Sequence, residues 1–395
     1  MYKRYQVDIL NDRLNEDRHF IQVIVGPRQV GKSTMVKQLL KEVKMPNMYA
    51  SSDDVPTDSA QWISTQWAAA RMRMEAGHHQ EYLLVLDEVQ KVSNWSETVK
   101  KEWDSDTFND VNLKVVLLGS SRLLLKKGLT ESLAGRFELL RMGHWSYAEM
   151  RDAFGWTIDQ YIYYGGYPGS AHLVRNETRW SQYVRDAIVE PAISKDVLMT
   201  TTIYKPAVLR QLFELGCGYS GELLSFNKML GQLTDAGNVT TLASYLNVLS
   251  ECQLLMGLQK YANDDARKYN SIPKYQVFNS ALLSVYQGRS FKAERITPDR
   301  WGRWVETAVG AYLVGKADEV GYRVYYWRDS PLEVDFVLSK GGVLVAIEVK
   351  SGHRTTNDGL PWFQEHFAPR RAFVVGSGGI PVEEFLQYDL SLLFG

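Results

Sequence analysis

Cysteine is nearly absent from this chain: Cys217 and Cys252 are the only two among 395 residues. That excludes a disulfide framework and a cysteine-rich zinc site, and it suits a reducing compartment. The seven histidines show no metal-ligand spacing, and the adjacent His78 and His79 lie in hydrophilic sequence that reads as a solvated loop. Neither sign of charge dominates, since 45 Lys plus Arg face 46 Asp plus Glu for a net charge of -1. A protein that coats nucleic acid or an anionic membrane by electrostatics alone is therefore excluded. No apolar run approaches the roughly 20 residues that a membrane-spanning helix needs, and Met1–Leu10 lacks the continuous apolar stretch of a secretory signal. A cytoplasmic protein without a membrane partner is expected. There is no internal repeat and no low-complexity tract.

What remains is a globular composition, 45% hydrophobic and 23% charged, in a chain long enough for about 2.6 domains of average size. The segment FIQVIVG, Phe20–Gly26, is a short apolar run ending in glycine and reads as a buried strand entering a tight turn. Residues 32–43 then place Met35, Val36, Leu39, Leu40 and Val43 on one helical face. Further apolar runs at Tyr82–Leu86, Leu113–Leu118 and Phe137–Met142, separated by helical stretches, predict an α/β fold with a parallel sheet over residues 1–145. Residues 146–200 read as a helical lid or connector interrupted by YIYYGGYPG. Residues 201–262 have the outline of a winged-helix module. Residues 263–395 alternate again, with a helix at 301–315, strands near 322–327, 332–338, 343–349 and 371–376, and a Gly341-Gly342 turn.

The strongest chemical signal is Gly26-Pro27-Arg28-Gln29-Val30-Gly31-Lys32-Ser33, followed by Thr34. It matches GxxxxGK[ST] between a strand and a helix, the context the motif requires. Glycines let backbone N–H groups curl around phosphates, the helix N-terminus adds its dipole, Lys32 brings charge to the β and γ oxygens, and the Ser33 hydroxyl can bind Mg2+. ATP and Mg2+ are the expected ligands. The run Leu83–Leu86 delivers Asp87 and Glu88 to the carboxyl end of a strand, where α/β sheets bind ligands. Asp87 would hold Mg2+ through its water shell, and Glu88 would polarise the attacking water. Ser120 and Ser121 end a third strand; either hydroxyl would sense the γ-phosphate or simply cap the next helix. Arg136 would stabilise transition-state charge in its own subunit or a neighbour's, or lie on the surface.

GPRQVGKST, LLVLDEVQKV, VVLLGSS, SLAGR, WSYAEM, YYGGYPG, YYWRDSPLEVDFVL and AIEVKSG occur together in this order. In this the chain resembles a bacterial and archaeal family of AAA+-like ATPases that carry a carboxy-terminal domain of unknown function similar to PD-(D/E)xK nucleases. The resemblance implies an ASCE-type P-loop core with Lys32 and Ser33 at Walker A, Asp87 and Glu88 at Walker B, Ser120 at sensor 1, and Arg136 as a family arginine. One departure is Asn279, where relatives often carry an aspartate.

The resemblance also implies a restriction-endonuclease-like fold for 263–395. There Glu333 and Asp335, and again Glu348 and Lys350, sit at i and i+2 and project from one face of a strand. Asp335 and Glu348 would bind a second Mg2+ or Mn2+, Lys350 would orient water, and Glu306 is the candidate fourth acid. The bland reading is a solvated strand face in a domain that binds without cutting. Arg328 would contact a phosphate or pair with Glu333. Within 201–262, Lys205, Arg210, Lys228 and Lys260 balance Glu214, Glu222, Asp235 and Glu251, which is not the basic footprint of a DNA reader. Two functions stay open: an ATPase that drives a nuclease-like domain on DNA or RNA, and a nucleotide-gated switch with an inactive one. A homo-oligomer or a protein partner is compatible with both.

Overall fold

The computed structural model describes the chain except residues 1, 54, 56–58, 60, 120–127, 130–131, 199–202, 236, 263–270 and 353–357. Two compact units are formed, Met1–Gly143 and His144–Gly395.

In the first unit the strands are β1 (Ile21–Val25), β2 (Asn47–Ser51), β3 (Tyr82–Asp87), β4 (Leu113–Leu118) and β5 (Phe137–Arg141). They form one sheet in the order β2-β3-β4-β1-β5, and every neighbouring pair is parallel. Helices α1 (Gln6–Asn15) and α2 (Lys32–Glu42) cover one face, and α3 (Gln61–Ala76) and α4 (Trp95–Phe108) the other. Burial on both faces explains why β1, β3 and β4 are mainly apolar, with buried Gln22 in β1 and buried Lys114 in β4 as the interior exceptions. Leu83 and Val85 point to α1 and α2, whereas Leu84 and Leu86 point to Trp67, Trp95 and Trp103. Both β1 and β3 run parallel to β4, which lies between them, so the phosphate motif and the Asp-Glu pair leave the sheet at the same end.

The second unit begins with α5 (Tyr147–Phe154), α6 (Ile158–Tyr164) and α7 (Glu177–Tyr183), each started by a side-chain cap from Ser146, Thr157 or Asn176. The glycine pair of the YYGGYPG segment has a packing cause. A Cβ on Gly165, at φ +69°, would lie 1.9 Å from Asn279 Oδ1, and one on Gly166 would lie 2.1 Å from the Trp145 carbonyl oxygen. Asn279 Oδ1 accepts from Gly166 N at 3.1 Å and Ala281 N at 3.2 Å. Asn279 thus clasps this turn to the next helix.

Next come α8 (Pro206–Gly218), α9 (Phe226–Leu230), α10 (Val239–Glu251), β6 (Leu255–Lys260), β7 (Lys274–Val277), α11 (Ala281–Gln287), α12 (Phe291–Arg295) and α13 (Pro298–Val320). The chain ends with β8 (Arg323–Asp329), β9 (Leu332–Lys340), β10 (Val343–Lys350), α14 (Gly359–Phe367), β11 (Arg371–Gly376) and α15 (Val382–Phe385). One six-stranded mixed sheet runs β11-β10-β9-β8-β6-β7. Its strands β6 and β7 lie on either side of the 262/263 division drawn from the sequence, so the sheet crosses that division. Among the described residues, no helix is long and apolar enough to cross a membrane.

Candidate functional site

The phosphate loop leaves β1 at Val25 and enters α2 at Lys32. Gln29 and Gly31 have left-handed backbone, φ +63° and +92°, and Gly31 stands as the N-cap of α2 with no side-chain cap and no acid in the first turn. The first N–H groups of a helix need partners, and here the protein supplies no capping side chain, which fits an anionic ligand. Gly26 is confined: a Cβ would meet the Met142 carbonyl oxygen at 2.1 Å. Lys32 is buried, and its ammonium donates to the carbonyls of Gly26 and Pro27, both at 2.8 Å. Arg28 is partly buried, Val30 is core, and Gln29, Ser33 and Thr34 are exposed. Buried Arg4 donates from one nitrogen to the Val30 carbonyl at 3.3 Å and the Gly143 carbonyl at 3.1 Å. The loop is therefore joined to the segment by which the chain leaves this unit.

Opposite the loop, β3 presents Asp87 and Glu88. Ser33 Oγ donates to Asp87 Oδ2 at 3.1 Å, and Glu88 N donates to Asp87 Oδ1 at 2.8 Å. The serine and aspartate expected to share Mg2+ are in direct contact. Tyr49, which the sequence did not single out, donates from β2 to the same Asp87 Oδ2 at 2.6 Å. Burial, then this hydrogen bond, raises the phenol above its ordinary value, so it remains a donor. Glu88 has left-handed backbone at φ +55°. Its carbonyl accepts from Ser52 Oγ at 2.7 Å and its Oε2 from Gln90 Nε2 at 2.6 Å. These contacts fix the carboxylate at the strand end.

The other expected groups fare differently. Ser120 and Ser121 lie outside the described residues. Arg136 lies at the start of β1, where its carbonyl accepts from Ile21 N at 2.8 Å. The phosphate loop lies at the other end, about 13 Å away along four strand steps. The Arg136 guanidinium forks onto Asp104 at 2.7 and 3.0 Å. In its own chain Arg136 is thus held in a bidentate ion pair with Asp104.

In the second unit the expected carboxylates do come together. Continuing the antiparallel register of Ile347 and Phe336 by one residue sets Glu348 beside Asp335, whose Oδ2 accepts from Val349 N at 2.8 Å. Glu306 reaches the cluster from α13. The sequence reading missed its centre, Lys274 on β7. The Lys274 ammonium lies 2.6 Å from Glu306 Oε1, 3.4 Å from Asp335 Oδ1 and 3.6 Å from Glu333 Oε1, with its side chain only 2% exposed. Burial opposes that charge, but the three carboxylates outweigh it and raise the lysine above its ordinary value. Lys350 pairs with Glu348 Oε1 at 2.6 Å, Glu348 Oε2 is buried with no hydrogen-bond partner, and Arg328 lies 3.7 Å from Glu333. Burial pushes both Glu306 and Glu348 up to about 7, opposed by Lys274 for the former and aided by Asp335 for the latter. Among the described residues, no three His, Cys, Asp or Glu side chains are arranged to hold a metal ion. The second metal expected at Asp335 and Glu348 finds no such cluster among the described residues: Lys274 lies against Asp335 and Glu306, and Lys350 against Glu348.

Residues 18–151 match the family model of an AAA domain. Residues 155–292 and 301–384 match models of two domains of unknown function, DUF8612 and DUF4143. No curated protein matches the chain. Among solved structures, it is similar to the Walker-type ATPase PABY2304 of Pyrococcus abyssi, at 13% identity and TM-score 0.49, over 72% of this chain and 95% of that one. It is also similar to the ORC1 protein of Aeropyrum pernix, solved in complex with DNA, at 13% identity and TM-score 0.32, over 75% of this chain and 95% of that one. The phosphate loop and the Asp-Glu strand end both lie inside the residues that match the AAA-domain model.

Proposed function

We propose that this protein binds and hydrolyses ATP with Mg2+ and uses the nucleotide state to gate a carboxy-terminal unit that binds a partner without cutting it. The observation that carries the first half is the contact of Ser33 with Asp87 beside an uncapped helix N-terminus and buried Lys32. Loop N–H groups and Lys32 would hold the phosphates, and Glu88, braced by Gln90, would orient a water for in-line attack on the γ-phosphorus. The bond to the ADP oxygen breaks as the new P–O bond forms, and Glu88 accepts the water's proton. Ser33 and Asp87 would hold Mg2+, which when bound neutralises charge on the β and γ oxygens. Arg4, shared between Val30 and Gly143, ties the loop to the exit of the unit and supports the gating.

In this reading residues 1–145 are the ATPase core, 146–200 a helical connector, 201–262 a winged-helix-like module and 263–395 a nuclease-like domain of a cytoplasmic protein. Lys274 among Glu306, Glu333 and Asp335 is the observation that favours binding over cleavage. The partner is nucleic acid or protein.

Lys32→Ala should abolish both nucleotide binding and phosphate release, whereas Glu88→Gln should keep binding and slow release by about 100-fold or more. Unchanged release in both variants would overturn the assignment. Incubation of the full chain with single-stranded DNA, duplex DNA and RNA, with Mg2+ or Mn2+ and with or without ATP, should leave each substrate intact. Metal-dependent cleavage that disappears in Asp335→Asn would refute the binding-only reading.

A further inference from the structure

The Mg2+ side of the phosphate site is closed by a side chain that no motif contains. Tyr49 lies on β2, the edge strand, opposite Val85 of β3. Its hydroxyl reaches along β3 to Asp87 Oδ2, which also accepts from Ser33, while Oδ1 accepts from Glu88 N. An ionised carboxylate offers about four acceptor positions, two on each oxygen. Both positions on Oδ2, the oxygen that faces Ser33, are thus filled by protein donors.

We propose that Tyr49 is a latch that competes with hydrated Mg2+ for Asp87, an inference that rests on the nucleotide reading above. A metal ion bound at Ser33 needs an acceptor on Asp87 for its water, and Oδ2 is the acceptor already directed at that serine. The phenol therefore yields when the ion enters. It can do so at low packing cost, because Tyr49 is 38% exposed and sits at the sheet edge. Asp53 and Glu88 lie near enough to act on the phenol electrostatically, so the displaced hydroxyl stays among acceptors. The device sets a metal threshold: Asp87 remains hydrogen-bonded until nucleotide and metal arrive together. Tyr49 is a positioning residue here, since it acts through Asp87.

The test uses the full chain with ADP and a Mn2+ titration followed by the electron paramagnetic resonance of the free ion. Tyr49→Phe should lower the half-saturating Mn2+ concentration by about ten- to hundredfold, the range expected for one hydrogen bond to a charged group. Metal-free ADP binding should be unchanged. In phosphate release the Mg2+ half-point should fall in parallel, with kcat at saturating metal within about twofold. Tyr49→Ile, suited to a strand, should behave alike and guards against an effect peculiar to phenylalanine. A half-point that is unchanged or raised in both variants overturns the latch and leaves the phosphate site standing. If wild-type protein binds neither ADP nor the ADP-dependent Mn2+, the site assignment and the latch fail together.

Discussion

Lys274 is the buried counter-charge that Glu306 and Asp335 share, whereas Glu333 is more exposed and also lies near Arg328. Taking one partner out of a buried ion cluster costs about 3–5 kcal/mol, since the remaining charges keep their desolvation penalty. Lys274→Met should therefore destabilise the chain by about that amount at pH 8, measured by urea unfolding. The loss should shrink as the pH falls. Glu306 and Glu348 have folded pKa values near 7 against an ordinary 4.5, so between those values the folded state binds more protons than the unfolded one. The stability this confers is complete below 4.5 and is lost as the pH rises through 7. Removing the ammonium raises Glu306 further and steepens that dependence. An equal cost at pH 5.5 and pH 8 would contradict the account. In the sequence Lys274 was a single cation in IPKYQVF, and its one mark was an apolar setting on both sides.

Elements were legible where burial is uniform and opaque where it is not. Strands β1, β3 and β4 are covered on both faces and stood out as mainly apolar runs despite Gln22 and Lys114, and the phosphate motif was fixed in place between β1 and α2. Strand β2 was missed because it is an edge: of NMYAS only Met48 is buried, so neither an apolar run nor a clean alternation marks it. With β2 went Tyr49, whose contact with Asp87 is tertiary and leaves no spacing to read. The antiparallel pair of β9 and β10 was visible through its Gly341-Gly342 turn, where both glycines have positive φ, +56° and +84°. Strand β6 was not marked out within the winged-helix outline of residues 201–262, because LLMGL carries no period of its own. The break lies at Gln253, left-handed at φ +56°. Gly257 marks the strand, since a Cβ there would lie 2.8 Å from both Leu246 Cδ2 and Pro273 Cβ. Arg136 could not be placed from sequence, because nothing in SLAGR shows that it lies beside Ile21 at the start of β1.

At the scale of the whole molecule, the near-zero net charge excludes a basic coat and leaves recognition to local sites. The second unit is held by a sheet whose strands come from residues 255–376. A fragment of residues 263–395 would lose β6, the neighbour of both β7 and β8, and strip partners from Tyr325 and Tyr326. It would thereby expose a sheet edge able to pair with another chain. Size-exclusion chromatography should find that fragment aggregated and a fragment of residues 144–395 monodisperse, and equal behaviour would show that β6 is dispensable. The match at 301–384 covers β8 to β11, whereas β6 and β7 fall within the match at 155–292. Two sequence families thus share one hydrogen-bonded sheet. Recombination that moved either segment alone into another gene would deliver an open sheet edge able to pair with another chain.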